Sequence, residues 1–132
     1  MPTTIPQKVL NRKEEITRDF FVLVDQHVND LLKQPTDKRY SSSDFAKMLF
    51  IAPRHLTNTI KLTTGKSPCD VMEERLVMEA ETLLRDTDLP IADISFRMGY
   101  NDTTNFIKFF RGMTGITPLQ FRKKLKMVSA GN

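Results

Sequence analysis

Apolar residues recur at Ile16, Phe20, Phe21, Val24, Val28, Leu31 and Leu32, with Arg18, Asp19, Asp25, Gln26, Asn29 and Asp30 between them. Spacings of three and four place the apolar set on one face of an α-helix and the polar set on the other. Pro35 closes that run. Residues up to about Lys13 have no such period and read as a flexible N-terminal segment. Beyond the linker, Ser41 is placed as an N-cap with Asp44 at N3, a weak capping box. It opens a short helix through Phe50 that buries Phe45, Ala46 and Leu49. A turn follows, and Pro53 starts a second helix to about Leu62 with Leu56 and Ile60 inward. A longer helix runs from Cys69 to about Arg85 on Val71, Met72, Leu76, Ala80, Leu83 and Leu84, and residues 87–90 break it. The pattern then starts over. Residues 91–98 form a short helix, Gly99 turns, residues 102–111 form a second helix, and a last helix opens at Pro118 with Leu119, Phe121 and Leu125.

The restart is a repeat in register. TTGKSP (63–68) returns as MTGITP (113–118), and setting Gly65 over Gly115 also sets Pro68 over Pro118, Leu56 over Phe106, Ile60 over Phe110 and Lys61 over Arg111. One extra residue in the second turn then sets Ala46 over Ser95, Leu49 over Met98 and Ile51 over Tyr100. The unit written twice is a helix-turn-helix with a shared ending. Small residues at Ala46 and Ser95 let its two helices approach closely. Each glycine stops a helix in the left-handed conformation, Ser67 and Thr117 cap the next, and each proline stands at N1. Gly65-Lys66-Ser67 is not a phosphate-binding loop: Ile60 stands where that motif needs glycine, a helix precedes it instead of a strand, and Ile116 replaces Lys66 in the second copy.

Charge changes the picture more than composition does. The chain has 132 residues, suited to one domain or two very small ones sharing a core, and the composition of a soluble globular protein. No run of 18 apolar residues occurs, and MPTTIPQK lacks the features of a secretory signal. The single Cys69 excludes an internal disulfide and fits a reducing, cytoplasmic setting. His27 and His55 lie too far apart for a metal pair, and no second thiol supports them. His55 and Cys69 lack any oxyanion device, so no enzyme, cofactor or metal is expected. From Phe45 to Cys69 the only ionised side chains are Lys47, Arg54, Lys61 and Lys66. From Asp70 to Asp102 nine acids face three bases, and after Asp102 no acid occurs while Lys108, Arg111, Arg122, Lys123, Lys124 and Lys126 follow. Two basic blocks flanking an acidic connector suit a two-point grip on a polyanion.

PRHLTNTIKLTTGKSP, ERLVMEAETLLRDTDLPIADIS and MGYNDTTNFIKFFRGMTGITPLQFRKK together resemble the DNA-binding domain of the AraC/XylS family of bacterial transcription regulators, over roughly Ser41 to Lys124. The resemblance implies an all-α fold: two helix-turn-helix subdomains (41–68 and 89–118) joined by a long connector helix (69–88). An N-terminal amphipathic helix and linker (14–40) precede them, and a C-terminal helix and basic tail (119–132) follows. It also implies sequence-specific binding of double-stranded DNA, with both recognition helices (about 53–62 and 102–111) in the major groove. A connector of residues 70–85 is roughly 24 Å long, which with a body at each end can separate the helices by about 34 Å, one turn of B-DNA.

Helical phase leaves Arg54, Thr57, Asn58 and Lys61 outward in the first unit, and Thr103, Thr104, Ile107, Lys108 and Arg111 outward in the second. The resemblance places base reading on Arg54, Thr57, Asn58, Thr103, Thr104, Ile107 and Lys108. Arg54 suits guanine, Asn58 adenine and Ile107 thymine methyls. Lys61, Lys66 and Arg111 suit phosphates. Phe50 departs from the pattern, because it stands over Gly99 at a turn. Either the first turn has another shape or Phe50 makes a contact that compensates. RNA polymerase is an expected partner of a transcription activator at the nucleoid, and an N-terminal sensor or effector domain is expected if the parent chain is longer. The rival reading is a helical protein-interaction module contacting RNA polymerase or a partner regulator, with weak or non-specific DNA binding.

Overall fold

The computed structural model describes residues 11–34 and 39–130, the last three by backbone alone. Seven helices occur among them, and no strand: α1 (Arg12–Lys33), α2 (Ser42–Met48), α3 (Pro53–Thr64), α4 (Pro68–Asp86), α5 (Ile91–Arg97), α6 (Thr103–Thr114) and α7 (Pro118–Ala130). Most of the expected flexible segment, residues 1–10, lies outside the described residues, and Arg12 and Lys13 already belong to α1. The chain forms two compact units. The first holds residues up to His27 together with Tyr40–Met72, and the second holds Val28–Arg39 together with residues from Glu73 onward. Helices α1 and α4 each contribute residues to both.

In the first unit Ile16, Phe20 and Val24 of α1, Phe45 and Ala46 of α2, Leu56 and Ile60 of α3, and Val71 and Met72 of α4 are buried. Phe20 meets Phe45 edge-on with ring centres 5.4 Å apart. His27 is buried there as well: its Nε2 accepts the Tyr40 N–H at 2.9 Å, and its ring stacks on the Tyr40 ring at 3.9 Å. That acceptor role requires the Nε2 atom to carry no proton. It pins the chain where it enters α2. In the second unit Val28, Leu31, Leu76, Val77, Ala80, Leu84, Ile94, Ser95, Met98, Phe106 and Phe110 are buried, as is Pro118.

Two expected core residues are exposed, and Leu32, Leu49, Leu83, Phe121 and Leu125 are only half-buried. Phe21 is 42% exposed and Leu119 is 52% exposed. Each sits about 100° round its helix from a buried neighbour, Phe20 or Pro118. The buried stripe of α1 follows the tighter series Ile16, Phe20, Val24, Val28 and Leu31, which leaves Phe21 at its edge. The opposite error occurs at Val77, which is buried beside Leu76 and Ala80 although the periodic reading passed over it.

The two helix-turn-helix turns have the same geometry. In the first, the Phe50 N–H donates to the Lys47 carbonyl at 3.1 Å and the Ile51 N–H to the Ala46 carbonyl at 3.0 Å. In the second, the Gly99 N–H donates to the Phe96 carbonyl and the Tyr100 N–H to the Ser95 carbonyl, both at 3.0 Å. This paired pattern is a Schellman motif, which needs a left-handed residue at its centre. Phe50 supplies it at φ 61°, Gly99 at φ 89°. The turn therefore keeps its shape, and the Phe50 side chain, 94% exposed, makes no compensating contact within the described residues.

The repeated ending is also matched bond for bond. Gly65 (φ 78°) and Gly115 (φ 88°) close α3 and α6, donating to the Lys61 and Arg111 carbonyls at 2.9 and 2.8 Å. Ser67 and Asp70 cap α4 reciprocally: the Asp70 N–H donates to Ser67 Oγ at 3.1 Å and the Ser67 N–H to Asp70 Oδ2 at 3.3 Å. Thr117 and Gln120 do the same for α7 at 3.1 and 2.9 Å. Ser41 and Asp44 form the expected box at α2. Thr64 and Thr114 hold the turn itself. Each hydroxyl meets the carbonyl four residues back, Ile60 or Phe110, and accepts the N–H two residues on, Lys66 or Ile116.

Arg122 corrects the charge reading. Its guanidinium donates to the carbonyls of Leu84 (3.2 Å), Thr87 (3.0 Å) and Leu89 (2.6 Å). It therefore closes the C-terminal end of α4, where carbonyls lack helical partners. Arg39 is similarly engaged, its guanidinium carbon 4.9 Å from the centre of the Tyr100 ring.

Candidate nucleic-acid interface

The outward residues of α3 and α6 fall on one template. Arg54, Thr57, Asn58 and Lys61 occupy positions i, i+3, i+4 and i+7 of α3, a single stripe on the helix surface. Fifty residues on, Thr104, Ile107, Lys108 and Arg111 form the same stripe on α6. Arg54, Asn58, Lys61, Thr104, Lys108 and Arg111 are exposed, whereas Thr57, Thr103 and Ile107 are half-buried at the flank. Leu56, Thr59 and Ile60 anchor the other side of α3, and Phe106 and Phe110 anchor α6. Lys66 stands apart from the first stripe. It is exposed in the loop beyond Gly65, and its N–H is held by Thr64.

The stripe cations differ from the arginines of α1 and α4, which stand beside carboxylates. Arg75 lies 3.4 Å from Glu79, and Arg85 lies 3.1 Å from Asp86. Arg12 and Arg18 have carboxylates at 3.6 and 3.1 Å. Among the described residues, Arg54, Lys61, Lys108 and Arg111 make no ion pair. These four cations are uncompensated and solvated, the condition in which they can exchange counterions for phosphates.

The two helices differ at their starts. Asp102 caps α6 by accepting the Thr104 N–H at 2.8 Å. At α3 the N-cap is Ala52, which has no side-chain acceptor, and Pro53 follows at N1. His55 and Cys69 are both exposed, and no group of three or more metal-ligating side chains occurs among the described residues. No helix of the described residues is long and apolar enough to cross a membrane.

Sequence reasoning overlooked the hydroxyls of Thr64 and Thr114, and the cap partners Asp70 and Gln120. The cap partners were readable, since Ser-x-x-Asp and Thr-x-x-Gln are capping-box spacings. The role of Arg122 had no local signal, because its acceptors lie 33–38 residues away.

Known proteins share this layout. A family model for a helix-turn-helix domain matches residues 45–124. The arabinose operon regulatory protein of Escherichia coli (strain K12) is 25% identical over 122 residues, covering 89% of this chain and 42% of that protein. The solved C-terminal domain of AraT, a response regulator from Geobacillus stearothermophilus, is 25% identical with a TM-score of 0.71, covering 86% of this chain and 88% of that one. The DNA-binding domain of AdpA, solved in complex with a target DNA, has the same fold at 17% identity and a TM-score of 0.66, covering 83% of this chain and 97% of that one. The chain spans less than half the length of the arabinose regulators it matches, 42% and 43%. With its all-helical fold, its paired helix-turn-helix units and these likenesses, the chain belongs to the AraC family of helix-turn-helix proteins.

Proposed function

We propose that this chain is a sequence-specific DNA-binding transcription regulator that inserts α3 and α6 into successive major-groove segments of one duplex. The observation that carries the reading is the pair of matched stripes, each with exposed cations that no acid compensates. Helix α4 has 19 residues, about 28 Å at 1.5 Å per residue, a length suited to serving two segments about one turn (34 Å) apart. In this reading Arg54, Thr57, Asn58, Thr103, Thr104, Ile107 and Lys108 read bases, and Lys61, Lys66 and Arg111 hold phosphates. Half-buried Ile107 suits packing on a thymine methyl, and exposed Asn58 suits the bidentate pairing of an amide with adenine. Control of transcription as an activator, contact with RNA polymerase, a cytoplasmic, nucleoid-associated location and a sensor domain elsewhere in a longer parent chain belong to the same proposal. The length of the arabinose regulators supports the last of these.

Salt dependence tests the reading. Each phosphate contact contributes about −0.9 to the slope of log affinity against log salt. Three such contacts give a slope of at least about −2.7, and Arg111→Ala lowers its magnitude by about 0.9. A flat titration, or a slope that Arg111→Ala leaves unchanged, overturns the proposal.

A further inference from the structure

Phe50 is the one non-glycine residue with positive φ among the described residues, and its side chain is 94% exposed. Its ring has no aromatic or cationic neighbour among them. The fold does not require a side chain there, because the turn at Gly99 makes the same two hydrogen bonds at the equivalent point of the second unit. A phenyl group held both in the left-handed region and in water is unfavourable on two counts. Backbone strain without a structural purpose gathers at functional sites.

Its place narrows the function. Phe50 lies in the turn between α2 and α3, two residues before the α3 N-cap Ala52 and four before Arg54. In helix-turn-helix docking the recognition helix presents its N-terminal residues to base edges, while the preceding helix crosses the backbone. The joining turn then runs at the groove wall, where the apolar surfaces on offer are deoxyribose and the thymine 5-methyl group. Exposed Lys47 and Arg54 flank the turn, and no acid occurs from Phe45 to Cys69. That setting favours a polyanion over an ordinary protein surface.

Building on the DNA-binding reading above, we infer that Phe50 is a further DNA contact of the first unit. Its ring packs on deoxyribose or a thymine methyl beside the bases met by Arg54 and Asn58. Such a contact releases no counterions, so it adds affinity without steepening the salt dependence. The second unit, with Gly99, has no counterpart, which makes the two half-sites unequal.

The test uses the full chain and the duplex that it selects from a random pool. Wild type, Phe50→Gly and Phe50→Tyr are compared in thermal melting and in affinity at several salt concentrations. Phe50→Gly is expected to melt at or above the wild-type temperature, and to bind about 5- to 20-fold more weakly with an unchanged salt slope. Phe50→Tyr, which keeps the ring, stays within about twofold of wild type. Deoxyuridine in place of thymine in the first half-site weakens wild type but not Phe50→Gly if the methyl is the contact. If wild type is indifferent to that change while Phe50→Gly still binds weakly, the contact is the sugar. Wild-type affinity in Phe50→Gly overturns the inference and points to a protein partner, and a lower melting temperature overturns its strain premise. Failure of wild type to enrich any duplex overturns instead the DNA-binding reading beneath it.

Discussion

Arg122 is the basic residue whose role the structure changes most, and Arg122→Lys isolates that change. The substitution keeps the positive charge and removes the planar fork that meets three carbonyls at 2.6, 3.0 and 3.2 Å. A hydrogen bond from a charged donor contributes about 1.5–3 kcal/mol. The three acceptors are only partly buried, so water recovers some of the loss, and bonds sharing one donor group are not additive. About 3 kcal/mol is therefore expected for Arg122→Ala. A lysine ammonium is a single point of contact, and Arg122→Lys should cost about 1.5–2 kcal/mol. At about 3–5 °C per kcal/mol for a chain of this length, the melting temperature falls by about 5–10 °C for Lys and about 10–15 °C for Ala. Thermal unfolding followed by circular dichroism measures both shifts. In the folded range neither variant changes the salt slope of DNA affinity, because the guanidinium faces α4 and the chain after it. Arg122→Lys melting within about 2 °C of wild type, or a shallower salt slope in either variant, refutes the capping role.

Ser95 Oγ is buried without a hydrogen-bond partner among the described residues, and Ala46 fills the same place in the first unit. Chemical denaturation should therefore find Ser95→Ala neutral or stabilising by up to about 1 kcal/mol, and a clear loss of stability contradicts that account. Gly115 has φ 88° and nothing near its missing Cβ. Gly115→Ala thus meets only the left-handed backbone penalty and should cost about 1–2 kcal/mol in the same assay, with a larger loss pointing to a clash that the structure does not have. His27→Phe keeps a ring beside Tyr40 but leaves the Tyr40 N–H without its acceptor. It should cost about 1–3 kcal/mol, and an unchanged midpoint would mean that the bond contributes nothing.

What was legible in the chain was whatever acts locally. Helical spacing placed the helices to within a few residues, and Gly65 and Gly115 marked helix stops because left-handed geometry selects glycine. The alignment of Phe50 with Gly99 marks the first turn as strained from sequence alone. The stripes on α3 and α6 followed from the phase of Leu56, Ile60, Phe106 and Phe110. Less legible were contacts that bring distant segments together. Arg122 looked like one more cation in a basic block because nothing nearby marks its carbonyl acceptors. His27 looked like an isolated histidine because its partner is a backbone N–H beyond the linker. Phe21 and Val77 were misassigned because a stripe read at three- and four-residue intervals is blurred by about one position at its edges.

Selection of bound duplexes from a random pool by the full chain, at stated salt, tests the central claim most directly. Two α-helices reading successive major-groove segments predict two enriched motifs with centres about 10 bp apart. Asn58→Ala should relax the first motif, and Lys108→Ala the second. A single enriched motif, or no enrichment at all, contradicts the reading of two recognition helices in one chain.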